Sequence, residues 1–251
     1  MSDFNRGISR PTSVATDMSV DAGLRAFMLG VYNKMGLGLL VSGALAYVTS
    51  SVPAVRDTLF QIDGQGVLRG YTGVGAIVAF APLIIILASN FMMRSATART
   101  AGLLYWTIVA LVGASLGSVG LLYTGQSIVS IFLVTAIAFG GLSLVGYTTK
   151  RDLSGFASFL IMGAWGLVAV LLLNAFFLHS SALLLIMSVI GVFVFAGLIA
   201  AQTQQVKLLY YRVAGNAEGM GAATNMGALS LYLDFVNLFR FLLILFGGSR
   251  R

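Results

Sequence analysis

GALSLYLDFVNLFRFLLILF, Gly227 to Phe246, decides the fold, because it is an apolar run with an acid in it. A helix crossing hydrocarbon needs roughly 20 apolar residues at about 1.5 Å per residue, and this run supplies them. Within it, the segment Ala228–Phe246 is expected to form the last of seven transmembrane helices. Asp234 then lies about two turns into the helix, roughly 10 Å deep. An ionisable side chain at that depth costs a few kcal/mol unless it is paired or hydrated, which marks it as a functional candidate. Ser230, Asp234 and Asn237 follow i, i+4, i+7 spacing and form one polar stripe on an apolar helix. That stripe reads either as a path for an ion or proton or as a hydrogen-bonded tie between helices. Arg240 falls about 240° around from Asp234, on a nearly opposite face, and is expected to snorkel to the interface.

Six further segments extend the pattern towards the amino terminus: Met35–Val52, Thr72–Phe91, Gly102–Leu122, Ser127–Tyr147, Phe156–Leu178 and Ala182–Ala201. An amphipathic lead-in with Arg25 and Lys34 precedes the first, which stops before Pro53. The four-residue YTGQ, Tyr123 to Gln126, can only be a hairpin between neighbouring helices. Composition agrees, since 58% of the 251 residues are hydrophobic and 9% charged, with a mean hydropathy of +0.95. A soluble domain would carry about a quarter charged residues. The fold class expected is therefore an all-α integral membrane protein, with residues 24–251 as one transmembrane domain embedded in the lipid bilayer. Residues 1–23 are polar, contain Pro11, lack the apolar core of a signal peptide, and read as a disordered cytoplasmic tail.

The net charge of +7 follows from 15 Lys and Arg against 8 Asp and Glu. In a membrane chain such an excess marks cytoplasmic loops, not nucleic-acid binding. With the amino terminus inside, Arg6, Arg10, Arg25, Lys34, Arg94, Arg99, Lys150, Arg151, Lys207 and Arg212 face the cytoplasm, and Arg56 and Arg69 face out. Seven crossings place Arg250 and Arg251 outside, against the rule, whereas a re-entrant last segment would return them. The length of that segment and its lack of a central Gly or Pro favour a crossing.

Catalysis and resident cofactors are not expected. The chain has no cysteine and one histidine, His179, in an outer turn, so thiolate chemistry is excluded and no metal-ligand cluster is visible. Gly113-Ala114-Ser115-Leu116-Gly117 matches a nucleophile-elbow pattern that would suit an intramembrane hydrolase. Ser115 lies near mid-membrane, far from His179, and Gly113, Gly117 and Gly120 read better as a small-residue packing stripe.

ALSLYLDFVNLF, Ala228 to Phe239, resembles the terminal signature of the Bax inhibitor-1 family. VYNKMGLGLLVSGALAYV, Val31 to Val48, Lys150-Arg151-Asp152-Leu153-Ser154 and the YTGQ hairpin support the resemblance, which covers nearly the whole chain. It implies six helices surrounding a central seventh, in a bacterial inner-membrane protein. It also implies a pH-sensitive calcium leak, with calcium passing transiently and no bound cofactor. The alternative it offers is a non-transporting regulator that docks on a membrane-embedded AAA protease or another membrane partner. In such relatives two aspartates share a proton, one of them matching Asp234. Aligned on Gln205-Val206-Lys207, this chain carries Gln202 at the other position, and Arg94 is the nearest match to the basic residue that pairs there. Two carboxylates in contact sense pH, whereas an amide cannot titrate. Gln202 is therefore expected to donate a hydrogen bond to Asp234 and to flatten the pH response. Taken alone, the run Gln202-Thr203-Gln204-Gln205 reads as a helix end entering water.

Overall fold

The computed structural model describes the backbone of residues 13–64, 67–92 and 97–249, and the side chains of 22–64, 67–88 and 97–249. It is a helical bundle: α1 (Ser13–Ser51), α2 (Pro53–Leu59), α3 (Gly73–Met92), α4 (Ala98–Ser115), α5 (Gly117–Leu122), α6 (Gly125–Thr148), α7 (Ser154–Leu173), α8 (Ser181–Val213) and α9 (Ala217–Phe246). Among the described residues, six helical spans are long and apolar enough to cross a membrane, contributed by α1, α4 with α5, α6, α7 with the turn after it, α8 and α9. The span expected over Thr72–Phe91 corresponds to α3, whose apolar part, Gly73–Ala88, is shorter and contains Pro82.

Several boundaries differ from the sequence reading, each for a local reason. The lead-in to the first span is continuous with it, because Leu24, Phe27, Met28 and Val31 are buried in the core. The backbone is helical from Ser13, within the segment read as a tail, while residues 1–12 of that segment lie outside the described residues. Proline starts a helix well but cannot continue one, and Pro53 opens α2 one residue after α1 stops. A short antiparallel hairpin, β1 (Phe60–Ile62) with β2 (Leu68–Tyr71), follows α2. The third span breaks at Leu116, where α4 passes into α5. The fifth ends in a π-helical turn, Asn174–Leu178, closed by His179 in left-handed conformation with φ 50°. That turn is held by Asn174, which accepts from Ser180 N and donates to Ser180 O.

The direction of each helix follows from its contacts. Ser42 Oγ donates to Val109 O, Thr49 Oγ1 to Ala114 O, and Tyr105 Oη to Lys34 O, so α1 and α4 run parallel. Asn225, about two turns into α9, donates to Ala98 O at the start of α4. At the other end, Thr124 N donates to Gly248 O, and Gly248 N to Ser127 Oγ. The last helix therefore runs the whole height of the bundle alongside α4 and α5 without turning back. Helix α8 runs antiparallel to α9, and α6 runs parallel to α8. Arg25, Arg99, Lys150, Arg151 and Arg212 thus share one end of the bundle, the basic end, and Arg56 and Arg69 lie at the other.

Helix α9 packs against α1, α4, α6 and α8 and is the most enclosed of the long helices. Tight approach depends on glycine. A Cβ on Gly113 would come within 2.7 Å of the Ser42 Cα, and one on Gly117 or Gly120 would meet Thr49 or Ser50. Ser115 meanwhile bonds to Val112 O within its own helix at 2.8 Å, and His179 is exposed in a distant turn. The GASLG stretch therefore works as the α1–α4 packing surface. Gly113→Ala should lower the melting temperature in detergent by the equivalent of about 1–3 kcal/mol of overpacking, and Ser115→Ala should leave it within error; thermal unfolding of the two variants checks this.

Candidate functional site

The residues of interest meet where α8 crosses α9. Helix α9 starts earlier than the sequence suggested, at Ala217, with Asn216 accepting from Glu218 N and Gly219 N as its cap. Asp234 therefore lies about 25 Å from the start of α9 and about 18 Å from its end, deeper than the two turns first read. Helix α8 runs to Val213, so Gln202 is in its interior and the polar run does not mark a helix end. Thr203 and Gln204 are buried, Gln202 is half-buried, and only Gln205 is exposed.

Asp234 is 3% exposed. Gln202 Nε2 donates to Asp234 Oδ1 at 3.4 Å, a long contact at the edge of hydrogen-bond range. The second oxygen, Oδ2, has no hydrogen-bond partner among the described residues. An unsatisfied buried polar atom costs about 1–3 kcal/mol, and more when charged. Ser230 and Asn237 are half-buried on the same stripe and make no hydrogen bond to Asp234. Arg240 is exposed, as its opposite-face position predicts. Arg94 lies outside the described residues. No three His, Cys, Asp or Glu side chains cluster among the described residues.

Around this contact the structure adds polar groups that sequence reasoning did not single out. Thr203 Oγ1 and Ser143 Oγ lie 3.0 Å apart, and Ser143 Oγ and Tyr32 Oη 2.5 Å apart, a hydroxyl chain from α8 through α6 to α1. On another face of α9, Tyr232 Oη and Ser42 Oγ are 2.7 Å apart. Gln204 clamps the α6–α7 loop: its Oε1 accepts from Leu153 N at 2.8 Å and its Nε2 donates to Arg151 O at 2.7 Å. Lys207 Nζ donates to Tyr147 O at 2.9 Å and sits 5.1 Å from that ring's centroid. In the same loop Asp152 accepts from Ser154 Oγ and Ser154 N, which hold its carboxyl below the usual carboxylate range. The sequence signals for these partners were the run of polar residues past Ala201, the basic Lys207 and the Lys150–Ser154 stretch that supported the family resemblance. Their targets are mostly hydroxyls and backbone groups that no spacing reveals.

The family described as "Inhibitor of apoptosis-promoting Bax1" matches residues 24–251. A protein of Caulobacter vibrioides is 60% identical over 251 residues, covering 100% of both chains. A protein of Rickettsia prowazekii is 42% identical over 95% of this chain and 96% of its own. The inner membrane protein YbhL of Escherichia coli is 40% identical over 91% of this chain and 94% of its own.

Replacing Gln204 with Leu removes both bonds of the clamp while keeping bulk. Amide hydrogen exchange across residues 149–154 should rise about tenfold or more, as expected for losing 1–3 kcal/mol of local hydrogen bonding, and exchange within α4 should not change.

Proposed function

The chain belongs to the Bax inhibitor-1 family, and from that premise we propose that it provides a weak, calcium-permeable cation leak with Asp234 at its constriction. One observation carries the reading: a carboxylate buried in a membrane-spanning helix with a single long hydrogen bond and an unpartnered oxygen. Such a group favours any state that supplies a donor or a cation. Hard cations take oxygen ligands, and one carboxylate with Ser230 and Asn237 beside it suits brief passage better than tight binding. On this reading the pathway is closed when Asp234 is buried among α9's neighbours and Gln202 holds Oδ1.

Seven crossings fit this reading: α1, α3, α4 with α5, α6, α7, α8 and α9, with α9 innermost. The enclosure of α9 supports its central place. The gathering of Arg25, Arg99, Lys150, Arg151 and Arg212 supports a cytoplasmic basic end, hence a cytoplasmic amino terminus and a carboxyl terminus on the opposite side. The inner membrane is the location this gives, in line with the name of the Escherichia coli relative, an inner membrane protein. Ser115 has no part in the reading, since it is bonded within its own helix.

Gln202 replaces a titrating group with an amide, so flux is expected to vary little with pH. Purified protein in liposomes loaded with a calcium dye tests this. Asp234→Asn should reduce calcium influx at least several-fold. Gln202→Asp should place two carboxylates in contact. They share a proton and hold the bundle shut in acid, and repel when both ionise, so this variant's flux should rise with pH where wild type stays flat. Influx equal to empty liposomes in every variant would sink the leak and leave a regulator that acts through a membrane partner.

A further inference from the structure

Helices α1 and α6 both pack on α9, and between their basic-end halves runs an open groove of about 600 Å³. This lies within the roughly 300–1,000 Å³ typical of ligand pockets. Met28, Phe139 and Gly140 give it an apolar wall, and the Tyr32–Ser143 hydrogen bond crosses its floor. Its flanks, Leu29 at 51% and Leu144 at 63% exposed, face outward as lipid-facing side chains do. Its end is different in kind. Arg25 stands there, seven residues or about 10 Å along α1 from Tyr32, with Tyr147 across from it on α6 and Lys207 against the Tyr147 ring. Among the described residues neither Arg25 nor Lys207 pairs with a carboxylate; the ion pairs among those residues, Arg56 with Asp57 and Arg69 with Asp63, lie at the opposite end of the bundle.

We propose that this groove binds an anionic phospholipid, with its phosphate on Arg25 and the first part of an acyl chain along Met28, Phe139 and Gly140. The charge pattern selects this occupant. An apolar trough with lipid-facing flanks that ends in basic side chains with no carboxylate partner among the described residues matches a molecule with one anionic end and a hydrocarbon body. Guanidinium binds phosphate oxygens through directed, charge-assisted bonds. A zwitterionic lipid brings its own cation to the same place and gains less. A helix from a second copy would bury Arg25 with no carboxylate among the described groove residues to neutralise it.

Gly140 makes the site testable without disturbing the fold. A Cβ there meets nothing within 4 Å, so Gly140→Leu fills the groove with little strain. Native mass spectrometry of the purified protein with phosphatidylglycerol or phosphatidylcholine counts bound lipid directly. Wild type should retain phosphatidylglycerol about fivefold more strongly, the worth of one basic residue near a membrane surface. Arg25→Gln, at an exposed position, should abolish that preference. Gly140→Leu should lose the bound lipid of either headgroup while melting near the wild-type temperature. Equal retention of the two lipids by wild type, a preference that survives Arg25→Gln, or a dimer mass in place of the lipid adduct would overturn the proposal. Should Gly140→Leu fail to fold, the Arg25→Gln comparison decides alone.

Discussion

Apolar side chains gain almost nothing by exchanging lipid for another helix, so a bundle in hydrocarbon must be held by close approach and by polar bonds between helices. The rest of this structure depends on that constraint. Gly146 lies so near the Ala200 carbonyl, Gly191 so near the Phe241 ring, and Gly227 so near Val206 that a Cβ at any of them would meet its neighbour at 3.1 Å or less. These contacts join α6 to α8 and α8 to α9, as Gly113 joins α4 to α1. Once α9 is enclosed by its neighbours, a carboxylate can sit at its middle without facing lipid. The packing comes first, and the buried charge is possible because of it.

The enclosure also explains how polar groups are distributed on α9. Tyr232 is bonded to Ser42 on the side of α1 and α4, and Asn225 to the start of α4. Asp234 faces α8 with one weak donor. Helix α9 is therefore tied firmly to α1 and α4 and loosely, in polar terms, to α8. Two buried side-chain oxygens lack a partner among the described residues: Asp234 Oδ2 at the looser of these contacts, and Asn225 Oδ1 beside the start of α4.

Much of this was legible in the sequence, and the limits of legibility were physical. Hydropathy located six spans and the hairpin at Tyr123–Gln126, because lipid forces backbone bonds inside each segment whatever the propensities. It misplaced the basic-end limits of α8 and α9, since helices continue past the apolar window when a neighbour buries their polar residues, as the α6–α7 loop does for Gln204. The hairpin of Phe60–Ile62 with Leu68–Tyr71 left no hydropathy signal, being outside the apolar runs. At the site, Asp234 stood out because acids are rare at depth, and the Ser230–Asn237 stripe followed from helical geometry. Tyr32, Ser143 and Thr203 did not stand out, because hydroxyls are common in membrane helices and only their meeting in space makes them a chain.

Gln202 and Gln204 are two residues apart on one helix, hence about 200° apart around it. Helix α8 therefore holds Asp234 on one side and the α6–α7 loop on nearly the other, with Lys207 adding a third hold on the end of α6. A rotation of α8 large enough to part Gln202 from Asp234 cannot leave the Gln204 bonds to Arg151 and Leu153 undisturbed, because one rigid element carries both. The 3.4 Å contact is the weaker side of this arrangement, and the bonds of 2.7 and 2.8 Å are the stronger. Movement at the buried carboxylate is thus restrained less by its own partner than by a loop at the basic end. With an amide at 202, no second carboxylate from α8 competes with that restraint at Asp234.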